Sequence, residues 1–231
     1  MQANEGKSLE IKTSTGTYER YAVKTHFVQI GENYCDLFEK YVVPVYKEGD
    51  IVSSSEKVIA LCQKRVVKRE DIKIGVLAKA LSSFADKKNH GGYGVGMPIN
   101  MQYAINKCGA LKVIYASVMA GFGKLVGKKG VFYEIVGREV SGLDGFYDGS
   151  WDEYRDLGVE IPSEPDKVCN EIKEKFGISI MIVDANDLGQ EMLGKSSDIT
   201  LSDEQLLEII KDNPAGQGRE CTPFIIIRKK D

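Results

Sequence analysis

Asp184 is the residue of this sequence best suited to chemistry. It follows 178–183, a continuous apolar run that reads as a buried strand. A carboxylate where such a strand ends can face a cleft and hold a divalent cation. It can equally cap the turn Asp184-Ala185-Asn186 by an Asx interaction, and pattern alone leaves both readings open. Glu139, in the segment GREVSG behind the apolar run 131–136, is a second acid of this kind. Its plain alternative is a solvated turn carboxylate paired with a nearby arginine. The stretch AGQGRE at 215–220 could wrap phosphates with backbone N–H groups, or simply turn the chain. Another cluster, GFGKLVGKK at 121–129, looks like a phosphate loop, but its glycine intervals are wrong. Lys129 also stands where a hydroxyl residue would have to hold magnesium. The segment HGGYGVGM at 90–97 has no strong strand before it and no helix cap directly after it, which predicts a loop.

The two histidines, His26 and His90, are far apart, and no two of the five cysteines have CxxC spacing. That pattern supports neither a zinc site nor a disulfide framework. A metal would be held mainly by oxygen, which points to magnesium or manganese. The cysteines read as small buried hydrophobes in a reducing cytoplasm.

The elements that must position these residues are partly legible. Leu9 and Ile11 alternate with polar residues, 14–17 turns, and Tyr21 and Val23 resume the alternation, which predicts a hairpin. Tyr34, Leu37, Phe38, Tyr41 and Val42 fall at helical spacing between the N-cap Asn33 and Pro44. Gly49-Asp50 turns into a short strand at Ile51-Val52, and 57–61 continues an apolar segment. Residues 71–86 read as an amphipathic helix. The runs 111–116 and 131–136 read as β-rich, separated by the glycine-studded 120–130. Ser163 is the predicted N-cap of a helix with an early Pro165, stopped by Gly177. Ser202 and Gln205 form a capping box for a helix over 203–211, and 224–227 is a last buried strand. Helices and strands alternate without a strict βαβ rhythm or repeat, so the fold class is α+β.

Composition bounds the function. The 231 residues carry a net charge of -3, with 42% hydrophobic and 28% charged residues, which is globular composition. No apolar stretch approaches the roughly 20 residues of a membrane span, and no signal peptide is visible. A dedicated nucleic-acid binder usually shows a strong basic excess, so neither nucleic acid nor membrane is an expected partner. The 24 glycines, about 10% against an ordinary ~7%, suggest tight turns or backbone close to a ligand.

Several separated segments together resemble the gamma-glutamyl ligase family of the deazaflavin coenzyme F-420. Residues 49–65, GDIVSSSEKVIALCQKR, are similar to the family's segment of GD, two apolar residues, S-x-K-V-V and GR. Upstream, 25–28 resemble its N-terminal nucleotide-contacting stretch, and Gly31-Glu32-Asn33 the GDD after it. Residues 178–189 resemble an apolar strand ending in DTxGR, 137–142 resemble GIDxSN, and 215–223 a glycine-rich GEGGDGxP stretch. The resemblance implies a mixed-sheet ligase-like fold in an intertwined homodimer, one unit over 1–231 with two interwoven subdomains at about 1–160 and 161–231. It implies Glu139 and Asp184 as catalytic metal ligands, with Gln217 beside them. Thr25, His26, Phe27, Val28, Glu56, Lys57, Gly142 and the loop Ala215, Gly216, Gln217, Gly218, Arg219, Glu220, Cys221 and Thr222 would line a guanine-nucleotide site. The implied reaction joins L-glutamate to a small-molecule carboxylate substrate through an acyl phosphate, with GTP as co-substrate and magnesium or manganese.

The sequence also departs from the family. Leu61 stands where members carry a lysine, Glu139 for an aspartate, Gly142 for an asparagine and Ala185 for a threonine. The arginine after DTxG is missing, and 194–213 is shorter than the family pattern. Two alternatives follow: a folate-type glutamyl ligase, or a relative that binds a nucleotide or small acid without catalysis.

Overall fold

The apolar run at 224–227 lies at the centre of a sheet, with both of its faces buried. In a computed structural model, residues 2–85, 94–146, 155–186, 189–216 and 218–230 are described. The chain is mixed α+β and divides into two units, Met1–Arg65 with Pro162–Asp231, and Val66–Ile161. The strands are β1 (Glu10–Thr13), β2 (Gly16–Val23), β3 (Ile51–Ser55), β4 (Val66–Lys68), β5 (Asp144–Gly145), β6 (Leu157–Val159), β7 (Ser179–Asn186), β8 (Gly189–Lys195) and β9 (Phe224–Lys229). The helices are α1 (Tyr34–Leu37), α2 (Glu56–Cys62), α3 (Val76–Ser83), α4 (Pro98–Cys108), α5 (Ala110–Leu125), α6 (Val131–Val136), α7 (Arg138–Ser141), α8 (Pro165–Phe176) and α9 (Asp203–Ile209).

The first unit holds a six-stranded sheet in the order β1-β2-β9-β3-β7-β8. Only β3 and β7 run parallel; the other neighbours are antiparallel. Successive strand residues point to opposite faces, so an unbroken apolar run is stable only where both faces are covered. Phe224 and Ile226 of β9, with Ile180 and Ile182 of β7, pack with Leu37, Phe38, Val58, Ile59, Val168 and Ile172 of the helices on one face. Ile225, Ile227, Met181 and Val183 pack on the other with Leu206 and Ile209 of α9. The predicted capping box is present, Ser202 accepting from Gln205 and Gln205 from Ser202. Asn33 accepts from the Cys35 N–H, as expected of an N-cap, and α1 runs into a π-helical turn, Phe38–Val42.

The second unit pairs β4, β6 and β5 as a small antiparallel sheet and carries α3 to α7. Here the sequence reading needs correction. The runs 111–116 and 131–136 are helical, not β-rich. Val113 and Ala116, then Phe132 and Val136, are buried at i, i+3 and i, i+4, which is the helical period. Gly121 and Gly123 lie inside α5 rather than in a turn, and a Cβ on Gly123 would sit 2.7 Å from the Val131 side chain. That glycine permits a close approach to α6. The helix read over 71–86 spans only Val76–Ser83. A helix starts at Pro98, directly behind the 90–97 segment, whose residues 90–93 lie outside the described residues.

In the first unit the apolar segment 57–61 lies within α2, and the start of α8 is not capped by Ser163. Glu164 is the cap residue, in left-handed conformation ahead of Pro165. Ser163 is instead held by Gln63, which donates to its carbonyl at 2.9 Å and accepts from its N–H at 2.7 Å.

Candidate functional site

The register places four of the singled-out segments at one end of the first unit's sheet. Val23, the last residue of β2, pairs with Phe224, the first of β9, and Ser54 pairs with the same Phe224. Ser55 pairs with Val183, one residue before Asp184. Residues 25–28, 56–57 and 215–222 therefore leave or enter the sheet together, at the carboxyl end of β3 and level with Asp184 inside the parallel strand β7. Ligands of α/β sheets are bound at such ends. Short contacts tie the segments. Thr25 N–H donates to the Cys221 carbonyl at 2.8 Å, and Ser55 N–H to the Pro223 carbonyl at 2.8 Å. The Asn4 side chain donates to the carbonyls of Pro214 and Ala215 and to Thr222 Oγ1, and Thr222 donates back to Ala215. Thr25 and Thr222 are buried, and Val28 belongs to the core.

The loop 213–222 closes on itself. Asn213, Gly216 and Cys221 adopt positive φ, and the Asn213 amide donates to the Gly216 carbonyl. Glu220 folds back onto the loop's glycines. Its carboxylate lies 3.0 Å from where a Cβ on Gly216 would sit and 2.9 Å from one on Gly218. The glycines thus make room for the protein's own carboxylate, and a phosphate entering there has to displace Glu220. Gln217 lies outside the described residues.

Beside this loop, His26 links a carboxylate to a phenol. Its Nε2 is 2.8 Å from Glu32 Oε2 and its Nδ1 is 2.7 Å from Tyr41 Oη. Burial alone would raise the Glu32 carboxyl, but the Gln29 N–H and the His26 ring outweigh it and hold Glu32 below the ordinary carboxylate range. An ionised Glu32 only accepts hydrogen bonds, so in the neutral ring Nε2 carries the proton and Nδ1 accepts from Tyr41. An imidazole oriented this way can act as a general base.

The acids behave differently from one another. Asp184 is not past the strand but inside β7, which continues to Asn186, and it pairs across the hairpin with Glu191. The Asx contact at the hairpin end belongs to Asn186, whose Oδ1 accepts from the Gly189 N–H. Glu139 belongs to the second unit, on α7 rather than behind a strand, and Lys107 lies 3.8 Å from it. The same lysine is 2.6 Å from the buried Glu160, which also accepts from Tyr103. Gly142, likewise in the second unit, is packed under Ile161, whose side chain would lie 2.2 Å from an added Cβ. Among the described residues no three His, Cys, Asp or Glu side chains group as a metal needs.

Two ion pairs, each with one buried partner, have no signal in the sequence. Asp50 accepts from Arg228 Nε at 2.8 Å and Nη2 at 2.6 Å, and from the Lys47 N–H, so the GD turn before β3 anchors β9. Arg20, 1% exposed, contacts Asp212 and donates to the carbonyls of Ser8 and Ile209. The five cysteines are free; only Cys169 is fully buried, so the other four are less buried than expected. Burial pushes the Cys62 and Cys169 thiols up to about 12, which keeps them unreactive. Among the described residues no helix is long and apolar enough to cross a membrane. No protein-family model matches this chain, and no curated protein matches it.

Proposed function

We propose that this protein is a nucleotide-dependent ligase of the gamma-glutamyl kind, joining L-glutamate to a carboxylate substrate. The observation that carries the reading is the meeting of 25–28, 56–57, Asp184 and 215–222 at one end of one sheet. In this reading GTP lies over that end. A substrate carboxylate oxygen attacks the γ-phosphorus and GDP leaves, giving an acyl phosphate. The glutamate amine then attacks the acyl carbon and phosphate leaves; the proton the amine loses passes to Tyr41 Oη as Tyr41 hands its own proton to His26 Nδ1. Magnesium or manganese would accompany the nucleotide phosphates, since the described side chains form no centre of their own. The reading carries with it the ligase-like fold and a cytoplasmic setting, which suits five free thiols.

A second reading, a nucleotide or small-acid binder without catalysis, is favoured by the Lys107–Glu139 contact and by Glu220 in the loop. A thermal-shift panel of GTP and ATP, each with and without magnesium or manganese, tests both. Ligand at about 100 times its Kd adds ~2.7 kcal/mol, several degrees at this size. A GTP shift that Asp184→Ala removes is expected, followed by hydroxylamine capture of the acyl phosphate in the presence of a carboxylate substrate. A shift without capture by any tested carboxylate leaves the binder. No shift with either nucleotide rejects the ligase and the nucleotide binder, and leaves only a small-acid binder.

A further inference from the structure

Helix α5 is apolar nearly all the way round, yet only one of its faces is covered. Val113, Ala116 and Gly123 point into the core of the second unit. On the other side Leu111 is 84% exposed, Ile114 37%, Tyr115 57%, Val118 52%, Phe122 61% and Leu125 83%. These six sit at i, i+3, i+4, i+7, i+11 and i+14, which is one continuous stripe. A soluble chain rarely leaves so large an apolar patch open unless something docks on it.

We propose that this stripe pairs with the same stripe of a second copy of the chain, the two α5 helices running antiparallel about a two-fold axis through Val118. The proposal stands on the stripe and is independent of the ligase reading. Two features select this occupant. The six side chains offer on the order of 800 Å² per copy, which is what a stable interface uses on each partner. The stripe is also self-complementary, as an isologous contact requires. With Val118 on the axis, Leu111 meets Leu125 and Ile114 meets Phe122, while Tyr115 meets Gly121, a large residue against a gap. Lys112 and Lys124, the only charges in α5, lie about 100° or more round the helix from the middle of the stripe and stay at the rim. A bilayer-surface helix would keep its opposite face in water, whereas the opposite face of α5 is buried in protein.

Sedimentation equilibrium of the full chain over nanomolar to micromolar concentration tests the pairing. A dimer is expected. Val118→Glu sets two carboxylates at the axis and should raise the dimer Kd by about a hundredfold or more. The double substitution L111E/L125E opposes like charges at both ends and should do the same. L111K/L125E opposes unlike charges there and should stay within about tenfold of the parent. Circular dichroism checks folding; if Val118→Glu fails it, the two end-pair variants still decide. A parent chain that is monomeric throughout overturns the proposal, as does a dimer that all three variants leave unchanged. A monomer that co-sediments with phosphatidylserine–phosphatidylcholine vesicles would replace it with a membrane surface.

Discussion

Glu220 decides how the glycine loop at 213–222 can be used. A carboxylate packed against Gly216 and Gly218 repels any phosphate that approaches the same backbone. Glu220→Gln should therefore tighten GTP binding by about tenfold, roughly 1.4 kcal/mol, as read by titration calorimetry. An unchanged affinity would mean that the phosphates lie elsewhere. Asp198 shows a structural use of charge. Burial works against its ionised form, but Lys173 at 2.8 Å and hydrogen bonds from Ser179 and Ser196 prevail, and its pKa falls to about 2. The folded value lies below the ordinary aspartate value of 3.8, so its contribution is complete above about pH 4 and is lost as pH falls towards 2. Because its side chain is about one-third exposed, screening reduces that contribution to about 1 kcal/mol. Urea titrations of the parent and Asp198→Asn should differ by this amount at pH 6 and converge near pH 2.

At the scale of elements, local signals were legible where they were sufficient. The capping box of α9 depends on Ser202 and Gln205 alone, and both hydrogen bonds form. Ser202→Ala should cost about 1 kcal/mol, a loss that chemical denaturation can measure, because α9 packs into the core on one face of the sheet. Helix α5 was illegible for the opposite reason. In 111–116 its β-branched and aromatic residues read as strand, and the buried positions that betray the period are a valine, an alanine and, further on, Gly123. A glycine chosen for close helix packing looks in sequence like a loop glycine. The site was half legible in the same way. Type and pattern single out Asp184 and the loop at 215–222, which belong to one unit, and also Glu139, which belongs to the other. They do not single out the Glu32–His26–Tyr41 chain, since its members depend on how 24–32 folds beside the π-helical turn.

At the scale of the whole molecule, the fold class could be read from alternating patterns, but the division into units could not. The sheet of the first unit joins segments from both ends of the sequence. Gly49-Asp50 and Arg228 belong together only because β3 and β9 are neighbours. Nothing local announces that pairing, since an arginine near one end of a chain and an aspartate far from it share no spacing rule. Glu139 and Asp184, matched in one resemblance, fall in different units.

The sheet order also sets a timetable for synthesis. A ribosome releases β1, β2 and β3 long before β9, the strand that joins β2 to β3. Until it emerges, the early strands have unpaired edges, and Phe38 and Ile59 lack their partners on β7 and β9. Residues 66–161 meet no such delay, because their sheet and core draw only on that interval. The inserted unit can thus be finished while the unit that contains the start of the chain is still waiting. Residues 10–55 are thus made before the inserted unit and complete their sheet after it.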